Sequence, residues 1–135
     1  MQLKDIIWFF TKNRVGFLGT IDGGRPRVRP FHFQLEYDEK LYFCTSNAKD
    51  VYRQLVANPW IEFCAMSPEY LTMRVSGAVR FTKDLEIKRR ILKLNDMVRP
   101  IFVVPENPKF EVFYLEHGTV KIVEFNGEPP RYVNF

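Results

Sequence analysis

The residues with the clearest potential for chemistry lie in one stretch of the chain, Arg25 to Asn58. Thr45 and Ser46 end an apolar strand within it, and Lys49 follows where a short helix begins. The strand before them carries alternating cations: Arg25, Arg27 and Arg29. Helix-start N–H groups, hydroxyls and cations are the groups that bind a phosphate. The spacing therefore predicts a pocket for a phosphate or a similar anion.

The same residues allow a second interpretation without a ligand. Ser46 or Asn47 is a suitable N-cap for the helix, which would leave Lys49 in solvent. Exposed arginines also protect an edge strand from pairing with other chains. A lysine in the first helical turn opposes the helix dipole, however, and a bound dianion would explain its position. The residue pattern alone leaves both interpretations open.

Composition limits the classes of protein to consider. The 135 residues fit one domain with a hydrophobic core, and 46% apolar with 16% aromatic content favours a β-rich one. The net charge of +4 is dispersed, so we expect no nucleic-acid surface. Without a signal peptide or a membrane-length apolar run, we expect a cytoplasmic protein that does not contact membranes. Cys44 and Cys64 then read as free, buried thiols.

Side-chain catalysis has little support in the sequence. His32 lies between two phenylalanines in a predicted strand, and His117 lies in a predicted turn. No serine has a nucleophile-elbow context, and no Cys, His or acidic residues have metal-ligand spacing. Glycine motifs for a nucleotide phosphate are also missing. We therefore assign no catalytic residue, expect no metal, and retain the anion site as the candidate.

Hydrophobic periodicity predicts six or seven strands and two or three short helices. The N-terminal helix uses Leu3, Ile6, Ile7 and Phe10, and a strand over Val15–Ile21 follows. A turn at Asp22–Gly24 leads into a long strand from Arg25 to about Tyr37, which Pro26 and Pro30 make irregular or place at an edge.

The remaining elements complete a fold dominated by strands. Further strands are predicted over Leu41–Thr45, Trp60–Met66 and Tyr70–Phe81. Helices are expected after Lys49 and after Thr82–Asp84, a loop over Asn95–Lys109, and a hairpin of Phe110–Glu116 and Thr119–Phe125. This order predicts a mainly β fold, a closed or nearly closed β-barrel with α-helical decorations, in a single domain of residues 1–135.

Four segments, in their order and spacing, carry a family resemblance: Gly24–Phe31 (GRPRVRPF), Leu41–Lys49 (LYFCTSNAK), Gln54–Pro59 (QLVANP) and Met73–Gly77 (MRVSG). Over nearly its whole length the chain resembles the FMN-binding split-barrel proteins related to pyridoxamine 5'-phosphate oxidase. Its end, Phe110–Phe135, is similar to that of short members described as nitroimidazole-reductase-like.

The resemblance implies a homodimeric split β-barrel with one FMN at each end of the interface. It assigns the phosphate to Arg29 with Arg27, to Thr45 or Ser46, and to Lys49. It assigns the flavin edge to Pro30, Phe31, His32, Phe43 and Cys44, adds Gln54, and brings Thr72 and Arg74 from the partner subunit. Thr72 stands where the oxidase usually supplies a glutamine, and the oxidase's extended C-terminal substrate segment has no counterpart.

The implied function is that of an FMN-dependent oxidoreductase of unknown substrate. FMN is expected rather than FAD, because there is one compact phosphate site and no glycine fingerprint for a pyrophosphate. Three alternatives remain: a non-catalytic flavin-binding or electron-carrier protein, a haem-binding split barrel with His32 or His117 as axial ligand, and a deazaflavin protein with a longer groove.

Overall fold

The computed structural model describes residues Met1 to Phe135. Strands hold 43% of the residues and helices 24%, which confirms the mainly β fold. The ten strands exceed the six or seven predicted, because two predicted segments divide and the tail adds one. The elements are α1 (Leu3–Lys12), β1 (Val15–Asp22), β2 (Arg25–His32), β3 (Leu35–Tyr37), β4 (Lys40–Ser46), α2 (Asp50–Ala57), β5 (Trp60–Met66), β6 (Thr72–Ala78), β7 (Arg80–Thr82), α3 (Leu85–Leu94), α4 (Arg99–Phe102), β8 (Phe110–Leu115), β9 (Thr119–Val123) and β10 (Arg131–Asn134).

Two antiparallel sheets enclose the main core. One has the order β10-β9-β6-β5-β1-β2, and the other β3-β4-β8-β7. The core between them contains 19 buried residues from both sheets, α1 and α2. At its centre Phe43 of β4 stacks on Phe113 at 5.6 Å and meets Phe63 edge-on at 5.1 Å between ring centroids. Burying each such ring stabilises the fold by roughly 1.5–3 kcal/mol.

The two sheets differ on their outer faces. α3 and α4 cover the smaller sheet, where Tyr42 and Cys44 of β4 join a second core of nine residues. Strand β4 is therefore buried on both faces and holds its last residues in a fixed position. The larger sheet has an uncovered outer face, on which the exposed apolar side chains include Val15, Phe17, Val28 and Met66.

The prediction of one continuous strand from Arg25 to Tyr37 is wrong. It divides into β2, an edge strand of the larger sheet as its prolines indicated, and β3 of the smaller sheet. Between them the backbone N–H of Phe33 donates to Arg14 O at 2.9 Å, and the Arg14 guanidinium donates to the carbonyls of Phe33 and Gln34. Arg14 thus satisfies backbone groups that lose their ladder partners where the chain changes sheet.

Two further strand predictions are wrong because the chain changes sheet within the predicted segment. Tyr70–Phe81 divides into β6 and β7, and the strands of the predicted C-terminal hairpin pair with other strands, β8 in one sheet and β9 in the other. At this crossing the chain passes close to itself. A Cβ on Gly77 would lie 2.7 Å from the His117 carbonyl oxygen, so only glycine fits.

The segment expected to be a loop, Asn95–Lys109, contains α4, and the tail contains β10. β10 pairs with β9 and extends the larger sheet. None of the four helices combines the length and hydrophobicity needed to cross a bilayer.

Candidate functional site

A groove of about 560 Å³ opens where the end of β1, the edge strand β2 and the start of α2 meet. Its charged and polar lining is supplied by these three elements: Asp22, Arg27, Arg29, Lys49, Asp50 and Gln54. The groove therefore contains Arg27, Arg29 and Lys49 along with two carboxylates, whereas Arg25, which the sequence grouped with them, lies outside its lining.

Arg29 is held in a neutral polar network at the floor of this groove. Its guanidinium donates to Thr20 Oγ1 at 2.7 Å and to Gln54 Oε1 at 2.6 Å. Thr20 Oγ1 also donates to Gln54 Oε1 at 2.6 Å, and both of these residues are buried. Burial lowers the pKa of Arg29, an effect that the charge of Asp50 partly offsets. The network fixes the guanidinium without neutralising its charge.

The groove carboxylates are paired with other arginines. Arg53 donates to both carboxylate oxygens of Asp22, at 3.2 and 3.3 Å, and these bonds hold the Asp22 pKa below its ordinary value. Arg27 lies 3.8 Å from the same carboxylate, and Asp50 lies 4.0 Å from Arg53. Neither Arg29 nor Lys49 forms an ion pair, so both leave uncompensated positive charge facing the groove.

The start of α2 differs from the sequence expectation. Lys49 is the N-cap residue with extended backbone, and so precedes the first turn in which it was predicted. Neither Ser46 nor Asn47 caps the helix. Ser46 Oγ accepts from the Ala48 N–H at 3.2 Å, while the Asn47 amide donates to Pro108 O at 2.8 Å. Capping therefore does not account for the hydroxyl of Ser46, and the first N–H groups of α2 have no side-chain partner.

A second cavity of about 280 Å³ lies next to the groove. The two share Pro30, Phe31 and Lys49, so they form one continuous concave surface. One side comes from the ends of β2 and β4, and the other from the segment around α4: His32, Gln34, Cys44, Thr45, Ser46, Met97, Val98, Ile101 and Phe102 complete the lining.

Two buried groups on the floor of this cavity have contrasting chemistry. Thr45 Oγ1 is buried without any hydrogen-bond partner, which leaves it able to bond a ligand. Burial raises the pKa of the Cys44 thiol to about 12. Cys44 is therefore a neutral apolar group and not a nucleophile.

Some predicted site residues lie outside both cavities. The ring of Phe43 is fully buried in the main core, so only its backbone is near the site. Thr72 and Arg74 pair with Met66 and Cys64 across β6 and β5, away from this subunit's cavities. Arg27 lines the groove but is exposed beside Asp22.

The sequence reasoning missed the network around Arg29 and the wall from α4. Thr20 is a single polar residue in an apolar strand, and a buried polar position there was the available signal. Met97, Ile101 and Phe102 belong to the long segment for which a covering role is common in small domains. Charge at one end and a mainly apolar space at the other suit a ligand with an anionic group attached to an apolar body.

Comparisons with known proteins identify the family and the fold of the chain. The pyridoxamine 5'-phosphate oxidase family model matches residues 4–124. No curated protein matches the chain by sequence. A NimC/NimA family protein from Clostridium acetobutylicum superposes with a TM-score of 0.87 at 28% identity, covering 98% of this chain and 92% of that one.

More distant structures share the fold. An FMN-binding protein related to pyridoxamine 5'-phosphate oxidase from Nostoc punctiforme has a TM-score of 0.76 at 18% identity, with 98% and 94% of the two chains covered. A heme-binding protein from Mycobacterium smegmatis has a TM-score of 0.73 at 17% identity, with 93% and 53% covered. With 121 of its 135 residues inside the family match, the chain belongs to the pyridoxamine 5'-phosphate oxidase family of split-barrel proteins.

Proposed function

We propose that the protein binds FMN and is an FMN-dependent oxidoreductase. The observation that carries this proposal is the uncompensated charge of Arg29, fixed at 2.6–2.7 Å by Gln54 and Thr20 beside the unpaired Lys49. A phosphate placed there receives charge-assisted hydrogen bonds and the free N–H groups of the α2 start. Ser46 lines the adjoining cavity together with Lys49, whereas Arg27 is occupied by Asp22.

The lining of the adjoining cavity supports its assignment to the flavin ring. Its floor and sides are mainly apolar, from Pro30, Phe31 and Cys44, and a flat ring is bound well by such surfaces. The unpartnered hydroxyl of Thr45 gives the cavity one polar group for a ring heteroatom or for the ribityl chain. Bound FMN supplies the redox chemistry, and the protein contributes binding, orientation and exclusion of water.

We further propose a homodimer with two equivalent FMN sites. The uncovered face of the larger sheet exposes Val15, Phe17, Val28 and Met66, and exposed apolar surface of this kind marks an interface. Thr72 and Arg74 lie on the same face, because they pair with Met66 and Cys64 in the sheet register. A two-fold axis through this face would carry these residues toward the partner's ring site.

A haem-binding role is the second candidate. His32 lines the smaller cavity and is partly buried, as an axial ligand would need to be. His117 is exposed at the crossing between β8 and β9 and lines neither cavity. Only His32 is therefore placed for this role.

An absorption spectrum of the purified protein, with mass spectrometry of the released cofactor, tests the proposal. We expect a flavin spectrum, a mass equal to that of FMN, and one flavin per chain after reconstitution. A Soret band that disappears in His32→Ala would favour haem. Recovery of FAD alone, or no binding after incubation with excess FMN, would contradict the proposal.

A further inference from the structure

A second concave surface adjoins the smaller cavity, which is the proposed ring cavity. This α3 groove has a volume of about 550 Å³ and is lined by residues of β3 and α3: Leu35, Glu36, Glu86, Arg89, Arg90, Lys93 and Leu94. The side-chain amide of Asn95, just after α3, donates to Gln34 Oε1 at 3.0 Å, and Gln34 lines the ring cavity. The α3 groove and the ring cavity therefore meet at the end of α3.

Exposed apolar side chains are concentrated where these two surfaces meet. Leu94, Met97, Ile101 and Val103 lie within ten residues of the chain and are 62–68% exposed. Leu94 lines the α3 groove, while Met97 and Ile101 line the ring cavity. The same segment is anchored by Phe102, which is buried in the second core. A cluster of exposed apolar side chains on an anchored segment indicates a surface that another molecule covers.

The charge around this apolar cluster is positive. Residues 83–109 contain seven Lys or Arg and four Asp or Glu, so they contribute +3 to the chain's net charge of +4. Glu86 is shared by Arg89 and Arg90, at 3.0 and 3.4 Å, and Lys93 forms no ion pair. This surface therefore attracts an acidic partner.

The carboxylates on the same surface narrow the kind of partner. Glu36 and Glu86 line the α3 groove beside its cations, and Asp96 lies 2.7 Å from Arg99 at the start of α4. A nucleic acid or an anionic membrane is bound by clustered Lys and Arg. Charges of both signs around an apolar centre are instead the arrangement of a protein–protein interface.

We propose that an acidic electron-transfer protein docks on the surface formed by the α3 groove and the exposed side chains from Leu94 to Val103, and reduces the bound flavin from there. This inference rests on the proposed FMN site. A partner seated on Met97 and Ile101 lies at the mouth of the ring cavity, which brings its redox centre toward the flavin. Two molecules of a one-electron carrier are oxidised for each flavin that is fully reduced, and the protons come from solvent. Small interfaces suffice for such transient complexes.

A plant-type [2Fe–2S] ferredoxin is the probe, because it is a small acidic one-electron carrier of low reduction potential. The ferredoxin is immobilised, and binding of the FMN-loaded protein is followed by surface plasmon resonance at increasing ionic strength. We expect binding that weakens as salt rises, and at least about tenfold weaker binding to cytochrome c, a basic one-electron carrier. Ferredoxin reduced beforehand and mixed anaerobically with the FMN-loaded protein should bleach the flavin absorption band.

Lys93→Glu reverses the unpaired cation of the α3 groove and should weaken ferredoxin binding about tenfold. Lys4→Glu is the matched control, because Lys4 is also exposed but lies on α1, and this variant should bind ferredoxin as wild type does. All three proteins should bind FMN alike, because neither lysine lines the phosphate groove or the ring cavity.

Failure of wild type to bind FMN overturns the proposed function together with this inference. Four results obtained with normal FMN binding overturn the inference alone: no ferredoxin binding, equal affinity for ferredoxin and cytochrome c, no reduction of the flavin by ferredoxin, or an affinity that Lys93→Glu lowers no more than Lys4→Glu does. Binding to phosphatidylglycerol vesicles in place of ferredoxin would also overturn it and would assign the surface to a membrane.

Discussion

The two ends of the candidate site differ in polarity and in how far apart in sequence their elements lie. The phosphate groove is polar and assembled from neighbouring elements, with Arg29 fixed by Thr20 and Gln54 before any ligand arrives. The ring cavity is mainly apolar and combines the end of β4 with α4, about fifty residues later in the chain. We expect affinity for FMN to depend mainly on the groove, and the choice of substrate to depend on the cavity.

Removing the cation at the floor of the groove should have the largest effect. Arg29→Ala loses a charge-assisted interaction of roughly 1.5–3 kcal/mol, so the FMN dissociation constant should rise about ten- to a hundredfold. Lys49→Ala should act similarly. Fluorescence titration of the apoprotein with FMN measures the change, and riboflavin should bind all variants alike because it lacks the phosphate.

Arg27→Ala is the matched control for this comparison. It removes an arginine of the same groove that lies 3.8 Å from Asp22, and we expect little change in FMN affinity. A larger loss in Arg27→Ala than in Arg29→Ala would assign the phosphate to the exposed arginine instead.

Gln54→Glu should have a smaller effect, of about tenfold in the FMN dissociation constant. The substitution keeps the shape of the side chain but places a carboxylate where Oε1 accepts from Arg29 at 2.6 Å. The guanidinium would then be neutralised within the protein and attract a phosphate less strongly. Circular dichroism and thermal unfolding should show an intact fold, and unchanged FMN binding would mean that the neutrality of the network is unimportant.

If FMN binding and dimerisation are linked, FMN should change the dissociation constant of the dimer several-fold. If the partner subunit covers the ring cavity, FMN must tighten the dimer. Phe17→Asp disrupts the exposed apolar face and should shift the protein toward monomers that bind FMN more weakly. Sedimentation velocity at decreasing concentration, with and without FMN, measures both states.

Leu94→Asp provides the control for this face. Leu94 is comparably exposed, 62% against 56% for Phe17, but lies on α3 behind the smaller sheet. Leu94→Asp should leave the oligomeric state unchanged. A monomeric wild type that binds FMN at full affinity, or one flavin per two chains at saturation, would contradict the linkage.

The parts of the fold that sequence predicted are those set by local patterns. α1, β1, the turn at Gly23 and Gly24, β5 and the start of α3 after Thr82–Asp84 follow from periodicity, glycine and capping chemistry. The changes of sheet after His32, at Val79 and at His117 were not predictable, because strand propensity continues through them. They depend on distant partners, such as Arg14 at the first crossing.

The residues of the candidate site likewise include some that local sequence patterns predicted and others that only tertiary packing reveals. Thr45 and Lys49 stand close together in sequence at a helix start, and Arg29 belongs to an arginine-bearing strand before them, so these residue types indicated an anion site. The roles of Thr20 and Met97 arise only from tertiary packing, which brings them to the groove and the cavity from other elements. Local motifs reveal charge chemistry, whereas an apolar wall resembles any other hydrophobic segment.

The smallest predicted effect is the pH dependence of protein stability that comes from the neutral thiol of Cys44 in the ring cavity. Burial raises the pKa of Cys44 from an ordinary value of 9.0 to about 12, so the unfolded chain loses this proton at lower pH than the folded protein. The stabilisation is fully present below pH 9 and is lost as pH rises toward 12. Linkage gives a loss of about 0.7 kcal/mol between about pH 8.5 and 9.5. Urea unfolding at these two pH values should show a correspondingly smaller pH dependence in Cys44→Ala than in wild type. Identical pH dependence in the two proteins would mean that Cys44 ionises in the folded state, and the ring cavity would then be more polar than its lining indicates.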